Sequence, residues 1–251
     1  LEPGKGWDAP GDATRVASAG DGVTLNGTKR YVLWGHAADL LVVSAYSEEG
    51  ELSLVTVDPS LKGVSIERLP TMDLTRPQAA VTFSDVQLGA DAILASGDAA
   101  RDALAKALNF AEVALACEQV GAAEACLEMS VEYAKTRKQF GKAIGAFQAI
   151  KHKCANMMLY VESARSAAYF AAWAAAQSVD DELPEAAAVA QAYCSDALFR
   201  CASDNIQIHG GIGITWECDA QLFFKRAKAS ETLLAPASVH RERVLEMVLN
   251  R

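Results

Sequence analysis

Apolar and polar residues alternate in short runs through the first 96 residues of the chain. The dipeptides Asp21-Gly22 and Asn26-Gly27 favour two-residue hairpin turns between such runs, and Pro59, Gly63 and Pro70 interrupt the later runs. Many short strands at regular spacing are typical of a sandwich or barrel, so we predict a β-sandwich or barrel-like domain. The predicted strands cover residues 23–25, 29–33, 40–45, 52–57, 64–69 and 79–83.

The pattern changes near residue 98, where apolar residues begin to recur at spacings of three and four. Alanine-rich stretches at 99–137 and 184–208 predict long helices, and several such helices with short connections predict an antiparallel bundle. The predicted fold class is therefore α+β with two domains, a strand-rich domain over 1–97 and a helical bundle over 98–251. One face of a long helix is predicted from Ile150, Cys154, Met157, Val161, Ala164 and Ala168.

Proline and glycine mark the ends of the predicted helices. Pro184 fits the first turn of a helix, and Gly210-Gly211 fits the end of that helix. Pro236 cannot continue a helix, so we expect a break between Leu234 and Ala237.

Composition excludes several classes of function. A net charge of −9 disfavours binding to nucleic acid or to an anionic membrane. No apolar run approaches the roughly 20 residues needed to cross a bilayer. The six cysteines form no C-x-x-C pair, and the four histidines show no ligand spacing, so no metal site is expected. Reduced cysteines in helices indicate a cytoplasmic protein.

Two segments of the helical half carry groups suited to a diphosphate. Arg137 offers a planar fork of donors, while Gly210 and Gly211 allow the backbone N–H groups to approach a ligand closely. Gln207 adds a donor and an acceptor. The simpler interpretations are that the glycines only end a helix and that Arg137 is a solvated cation in a last turn.

The chain resembles the acyl-CoA dehydrogenase family. The resemblance rests on Y-A-K-T-R-K-Q-F-G-K at 133–142, F-Q-A-I-K-H at 147–152 and Q-I-H-G-G-I-G at 207–213. G-T-K at 27–29 and V-T-F-S-D-V at 81–86 match the family's middle β-domain. The resemblance implies that middle domain followed by the C-terminal helical domain, and the family's N-terminal helical domain is not present in this sequence.

The resemblance also implies FAD as cofactor. In this family these motifs reach across a dimer and bind the adenine-diphosphate half of an FAD whose flavin lies in the neighbouring subunit. The residues that the motifs assign to this half-site are Arg137, Phe140, Phe147, Gln148, Gln207, Gly210 and Gly211.

The positions that would face a flavin within this chain depart from the family pattern. In the family segment T-E-P-x-x-G-S-D, the Thr and Ser hydroxyls face the flavin, but Leu1 and Trp7 stand at these positions here. In the family segment K-x-W-I-T-N-G, the Trp and Thr positions are Tyr31 and Leu33. Leucine cannot hydrogen-bond a flavin, and we expect the Trp7 indole to fill the pocket instead.

The catalytic base is also in question. In much of the family, the Glu of a Y-E-G-T segment removes the substrate α-proton, while the β-hydrogen leaves as hydride to the flavin. That position corresponds to Leu234, which cannot abstract a proton. Some members carry the Glu on the first helix of the domain, and Glu112 lies within one residue of that position. Alternatively, Glu112 is solvent-facing or ion-paired; Glu231 is a second candidate with less support.

These observations predict the non-catalytic subunit of a heteromeric acyl-CoA dehydrogenase that completes the FAD site of a homologous catalytic subunit. Two alternatives remain open, a fully catalytic homotetramer with Glu112 as base and a flavin-free structural homologue. The resemblance implies an acyl-CoA substrate and an electron-transfer flavoprotein or similar acceptor as partners.

Overall fold

We describe the protein from a computed structural model, which covers residues 1–2, 13–177 and 182–250. The chain divides into two compact units, Leu1–Ala107 and Leu108–Arg251. The predicted fold class is confirmed, since strands make up the first part and helices the second. The domain boundary expected at 97/98 falls where the first long helix begins, and it stays a prediction.

The strands described in the first unit form one mixed sheet. The sheet order is β5-β6-β2-β1-β3-β4-β7; β1 pairs with β3 in parallel and the other neighbouring strands are antiparallel. One apolar core covers the sheet and includes Leu25, Val55 and Phe83. The strands are β1 (Arg15–Ala19), β2 (Gly22–Leu33), β3 (Leu41–Tyr46), β4 (Leu52–Val57), β5 (Val64–Leu69), β6 (Gln78–Gly89) and β7 (Ile93–Ser96).

The two predicted hairpin signals have different outcomes. The first is confirmed within one residue, because Gly20 and Asp21 form the turn between Ala19 and Gly22. The second prediction is wrong, because Asn26-Gly27 lies inside β2 at a register shift against β6. The Asn26 side chain forms two hydrogen bonds with Asp85 of β6, at 3.0 and 2.8 Å. These bonds join β2 to β6 at the register shift. A β-bulge and a hairpin turn both favour the Asn-Gly dipeptide.

Glu2 is a buried carboxylate that links the start of the chain to β1 and β2. It accepts hydrogen bonds from the Ala13 and Thr14 N–H groups at 2.7 and 2.9 Å, and it pairs with Lys29 Nζ at 2.7 Å. Burial acts to raise the pKa of Glu2, but the hydrogen bonds from Lys29, Ala13 and Thr14 outweigh it and lower the pKa to about 2. The ionised carboxylate therefore stabilises the fold.

This carboxylate predicts an acid-sensitive contribution to stability. The folded pKa of Glu2, about 2, lies below its ordinary value of 4.5, so the contribution is present above pH 4.5 and lost as the pH falls towards 2. Glu2→Gln is expected to lower the unfolding free energy by about 2–3 kcal/mol at pH 7 and to flatten its pH dependence below about 5. Urea titrations at several pH values measure both, with Glu67→Gln on exposed β5 as the matched control. Parallel pH curves for the wild type and Glu2→Gln would contradict this role.

The second unit is built from long helices whose contacts are rich in alanine. The predicted buried face of α2 is confirmed: Met157, Val161, Ala164 and Ala168 are buried, and Ile150 and Cys154 pack against the core. Small side chains let these helices approach closely, which favours dispersion contacts over a large area. The helices are α1 (Gly97–Thr136, whose first residues belong to the first unit), α2 (Gln148–Gln177), α3 (Leu183–His209), α4 (Ala220–Ser230) and α5 (Ala237–Leu249).

The predicted helix ends agree with the structure. Pro184 lies in the first turn of α3, and Gly210 follows its last residue with φ 67°. Pro236 precedes α5, and the expected break lies between α4 and α5. Short 3-10 helices cover Gly35–Ala37, Ala90–Ala92, Ile144–Ala146 and Gly210–Ile214, and a two-stranded hairpin consists of β8 (Lys138–Gln139) and β9 (Lys142–Ala143).

All six cysteines carry free thiols. Burial raises the pKa of Cys126, Cys194 and Cys201 to about 12, so these thiols are protonated at neutral pH. Among the described residues, no cluster of three or more His, Cys, Asp or Glu side chains could hold a metal ion. No described helix has the length and apolar character to span a bilayer.

Candidate functional site

The ends of α1 and α3 carry the two sequence motifs, and the structure brings them together. The rings of Tyr133 and His209 stack with their centroids 4.3 Å apart. Deeper in the unit, Ser130 Oγ lies 2.9 Å from Asn205 Oδ1, and both residues are buried. His209 Nδ1 lies 2.9 Å from the Asn205 carbonyl oxygen, to which it donates, so the buried pair also orients the histidine. Two segments that lie 75 residues apart in sequence thus form one surface.

A tight hairpin follows α1 and presents aromatic side chains. Phe140 and Gly141 form the turn between β8 and β9, and both have positive φ, at 52° and 79°. The Phe140 ring is 90% exposed and meets the Phe147 ring edge-on, with centroids 6.0 Å apart. Lys142 Nζ lies 4.4 Å from the centroid of the Phe147 ring. A bulky residue such as Phe140 in a left-handed turn is in an unfavourable backbone conformation, and such conformations cluster at functional sites.

Arg137 lies between α1 and this hairpin, with its backbone fixed and its side chain exposed. Its N–H donates to Tyr133 O at 2.8 Å, and its carbonyl accepts from the Ile144 N–H at 2.8 Å. Among the residues that the structure describes, none forms an ion pair or hydrogen bond with its guanidinium. Gln148, the first residue of α2, is also exposed. The backbone therefore positions a cation whose donors remain available for an anion.

The glycines after α3 leave room for a ligand beside the backbone. Gly210 donates its N–H to Ile206 O, so it does end the helix, as the simpler interpretation holds. A Cβ added at Gly210 or Gly211 would meet no atom within 4 Å, and both residues are exposed, as is Gln207. These glycines therefore adjoin open space instead of being required by internal packing.

The segment that would face a flavin in the first unit offers no hydroxyl at Leu1 or Leu33. Tyr31 and Trp34 have positive φ, at 59° and 54°, and their side chains are exposed together with Leu33. Arg30 lies over the Tyr31 ring, with Cζ 5.6 Å from the centroid. The prediction that Trp7 fills the pocket falls outside the described residues.

Glu112 lies in a buried polar cluster between α1 and α5. Its side chain is almost fully buried, and Oε1 lies 2.7 Å from Arg243 Nη1. Arg243 Nη1 also lies 3.3 Å from His240 Nδ1, while Nη2 lies 3.3 Å from Asn109 Oδ1. Of the interpretations weighed from sequence, Glu112 is thus ion-paired, and its role as a base stays a prediction. Glu231 pairs with Lys228 at 2.5 Å near the surface.

His240 is the buried histidine of this cluster. Burial lowers the pKa of His240 and the Arg243 guanidinium lowers it further, whereas the Glu112 carboxylate acts in the opposite direction. Sequence reasoning missed Arg243, His240 and Asn109. A signal was present, since a carboxylate inside an apolar stretch requires a partner, and α5 supplies two arginines.

Comparison with known proteins identifies the class to which this fold and site belong. Residues 101–249 match the family model described as "Acyl-CoA dehydrogenase, C-terminal domain". Residues 2–86 match the family model described as "Acyl-CoA dehydrogenase, middle domain". The chain therefore belongs to the acyl-CoA dehydrogenase family, as its motifs predicted.

Individual relatives agree with this assignment. The chain is 37% identical to the acyl-CoA dehydrogenase IpdE2 of Mycolicibacterium smegmatis over 82% of its own length and 57% of that protein. Its fold matches butyryl-CoA dehydrogenase from Megasphaera elsdenii with a TM-score of 0.92, at 29% identity, over 99% of this chain and 66% of that one. It also matches a chain of the ChsE4-ChsE5 complex from Mycobacterium tuberculosis with a TM-score of 0.87, at 26% identity, over 100% of this chain and 65% of that one. The chain thus spans less than two thirds of the relative IpdE2.

Proposed function

We propose that this chain is a subunit of an FAD-dependent acyl-CoA dehydrogenase that donates the adenine-diphosphate half of the FAD site to a homologous catalytic subunit. The observation that carries the proposal is the surface formed by the ends of α1 and α3. There Arg137 is exposed without an ion-pair partner among the described residues, and Gly210-Gly211 adjoins open space. The surface is suited to an anion, while the opposite half of a flavin site lacks its hydroxyls at Leu1 and Leu33.

The residues of this surface fit the diphosphate and adenine in distinct ways. The Arg137 guanidinium provides paired donors for phosphate oxygens, and the open space beside Gly210 and Gly211 allows a ligand to approach the backbone closely. Phe140 and Phe147 provide aromatic surface for the adenine. Gln148 and Gln207 provide amide groups for its polar edge or for the ribose. When bound, FAD supplies the hydride acceptor for oxidation of an acyl-CoA thioester.

The absence of a suitable base supports the non-catalytic role. Leu234 has no acid–base chemistry, and one oxygen of Glu112 is bound to Arg243 at 2.7 Å. In this proposal the catalytic partner supplies the carboxylate that removes the α-proton and the hydroxyls that hold the flavin. The match to a chain of a complex named for two different proteins, ChsE4 and ChsE5, supports assembly with a homologous partner. The electron acceptor is proposed to be an electron-transfer flavoprotein or a similar protein.

One observation favours the fully catalytic homotetramer as second candidate. Glu112 Oε2 is buried and has no hydrogen-bond partner among the described side chains and backbone, so one carboxylate oxygen is not engaged. A buried, unpaired carboxylate oxygen is expensive, and catalytic groups are a common reason for such a cost. Counting FAD molecules per chain in the purified assembly separates the two functions, because a homotetramer fills a complete site on every subunit and a donor subunit does not.

A further inference from the structure

The outward face of α2 carries a seam of residues with the spacing of a coiled coil. Its members recur at alternating intervals of four and three residues, which is the 3.5-residue period of helices that pack side by side. The opposite face of α2 packs inside the bundle, whereas every residue of this seam is exposed. The α2 seam consists of Ala155, Leu159, Glu162, Ser166, Tyr169 and Trp173.

Large apolar side chains dominate the α2 seam and its flanks. Leu159 is 62% exposed, Tyr169 64% and Trp173 48%, and the flanking Met158 and Phe170 are 51% and 53% exposed. The rings of Phe170 and Trp173 stack on the surface with their centroids 5.7 Å apart. Apolar side chains grouped in this way on a soluble protein mark an interaction surface, and the 3.5-residue period indicates that a helix covers it.

The polar residues of the α2 seam are complementary to each other when the seam meets a copy of itself in the opposite direction. An antiparallel pair related by a two-fold axis brings each residue before the axis opposite the residue equally far beyond it. An axis at the level of Ala164 therefore places the Glu162 carboxylate opposite the Ser166 hydroxyl of the second copy, an acceptor facing a donor. Arg165, whose Nε lies 3.5 Å from the Glu162 carboxylate, offsets the negative charge at this layer.

The apolar residues match in the same register. Each remaining layer joins a large side chain either to another large one or to an alanine that leaves room for it, which is the packing that knobs and holes require. A methionine also meets an aromatic ring, which is a favourable contact. The three layers on each side of the axis are Leu159 with Tyr169, Ala155 with Trp173, and Met158 with Phe170.

We propose that the α2 seam is the contact between two copies of this chain, which join antiparallel about a two-fold axis at the level of Ala164. Self-complementarity selects a second copy as the occupant, because only an isologous contact requires a surface to match its own reverse. The seam shares no residue with the surface formed by the ends of α1 and α3. The contact therefore does not rest on the proposed role in FAD binding.

Sedimentation velocity of the purified chain tests the contact. Trp173→Ala is expected to raise the Kd for self-association by about 30-fold or more, because a tryptophan buried in an interface is a typical hot spot. Leu159→Glu is expected to halve the mass of the self-associated species and to leave Tm of the single copy unchanged, because the side chain is exposed there. Leu245→Glu is the matched control, since it makes the same change at an exposed position of α5 and is expected to keep the wild-type mass. A wild-type chain that stays monomeric, or a Leu159→Glu chain with the wild-type mass, would overturn the proposal.

Disulfide cross-linking tests the direction and register of the contact. Glu162→Cys and Ser166→Cys are made as separate chains with different tags, in a background where the exposed Cys117 is replaced by serine. Mild oxidation is expected to link the two chains when they are co-expressed, and to link neither to itself, because the axis brings position 162 opposite position 166. Cross-linking of each chain to itself as efficiently as in the mixture would overturn the antiparallel register. A disulfide that no longer forms when the homologous catalytic subunit is present would assign the seam to that subunit and overturn the proposal as well.

Discussion

Assayed alone, the chain is expected to oxidise acyl-CoA about 10²–10⁴-fold more slowly than the same chain co-purified with a homologous, carboxylate-bearing subunit. The reason is the chemistry of its candidate base positions. Leu234 cannot accept a proton, and the buried carboxylate of Glu112 is paired with the partly exposed Arg243. The Arg243 guanidinium already occupies Oε1, which leaves only Oε2 of this carboxylate to accept a proton. Turnover with an artificial electron acceptor, with and without the partner, measures the difference.

The controls for this prediction are substitutions of two carboxylates, the catalytic base of the partner subunit and Glu112 of this chain. Replacing the partner's base by glutamine is expected to abolish the gain, since charge is lost and shape is kept. The contrary result is a collapse of about 10²–10⁴-fold in an assembly of this chain alone when Glu112→Gln is introduced, with folding and FAD content unchanged. That result would identify Glu112 as the catalytic base and favour the homotetramer.

Arg137→Ala is expected to weaken FAD binding by the assembly about 10–150-fold, which corresponds to about 1.5–3 kcal/mol for a hydrogen bond to a charged group. The Arg137 side chain has no ion-pair partner among the described residues, so its loss removes ligand contacts without breaking an internal pair. Arg137→Lys is expected to give an intermediate loss, because lysine keeps the charge but not the paired donors.

Arg68→Ala is the matched control for this substitution, because Arg68 is exposed on β5 in the other unit. It removes the same charge from the protein and is expected to leave FAD affinity unchanged. Equal FAD affinity in Arg137→Ala and Arg68→Ala, measured by fluorescence titration of the flavin-free assembly, would remove Arg137 from the binding site.

Local signals in the sequence were sufficient for most of the fold. The series from Ile150 to Ala168 predicted the buried face of α2 because helical periodicity depends only on neighbouring turns. Pro184 located the start of α3, and Pro236 located the break before α5, for the same reason. Asn26-Gly27 misled the prediction because a bulge and a hairpin turn favour the same dipeptide, and the pairing of β2 with the distant β6 decides between them.

The candidate site was predictable as a set of residues but not as an arrangement. The motifs indicated Arg137 and Gly210, whereas the stacking of Tyr133 on His209 depends on how α1 packs against α3. The contact between Glu112 and Arg243 joins residues 131 positions apart. The sequence periodicity of a single helix cannot predict such a pair, because the geometry of the pair depends on how α5 packs onto the bundle.

The number of FAD molecules per chain in the purified assembly tests directly whether this chain is a donor subunit. We expect this chain to bind FAD only together with a homologous subunit, with one FAD for each pair formed by this chain and its partner. Flavin absorbance after denaturation, combined with the subunit ratio from mass spectrometry, gives that number. One FAD for every copy of this chain, in an assembly that contains no other subunit, would contradict the role of this chain as a donor subunit.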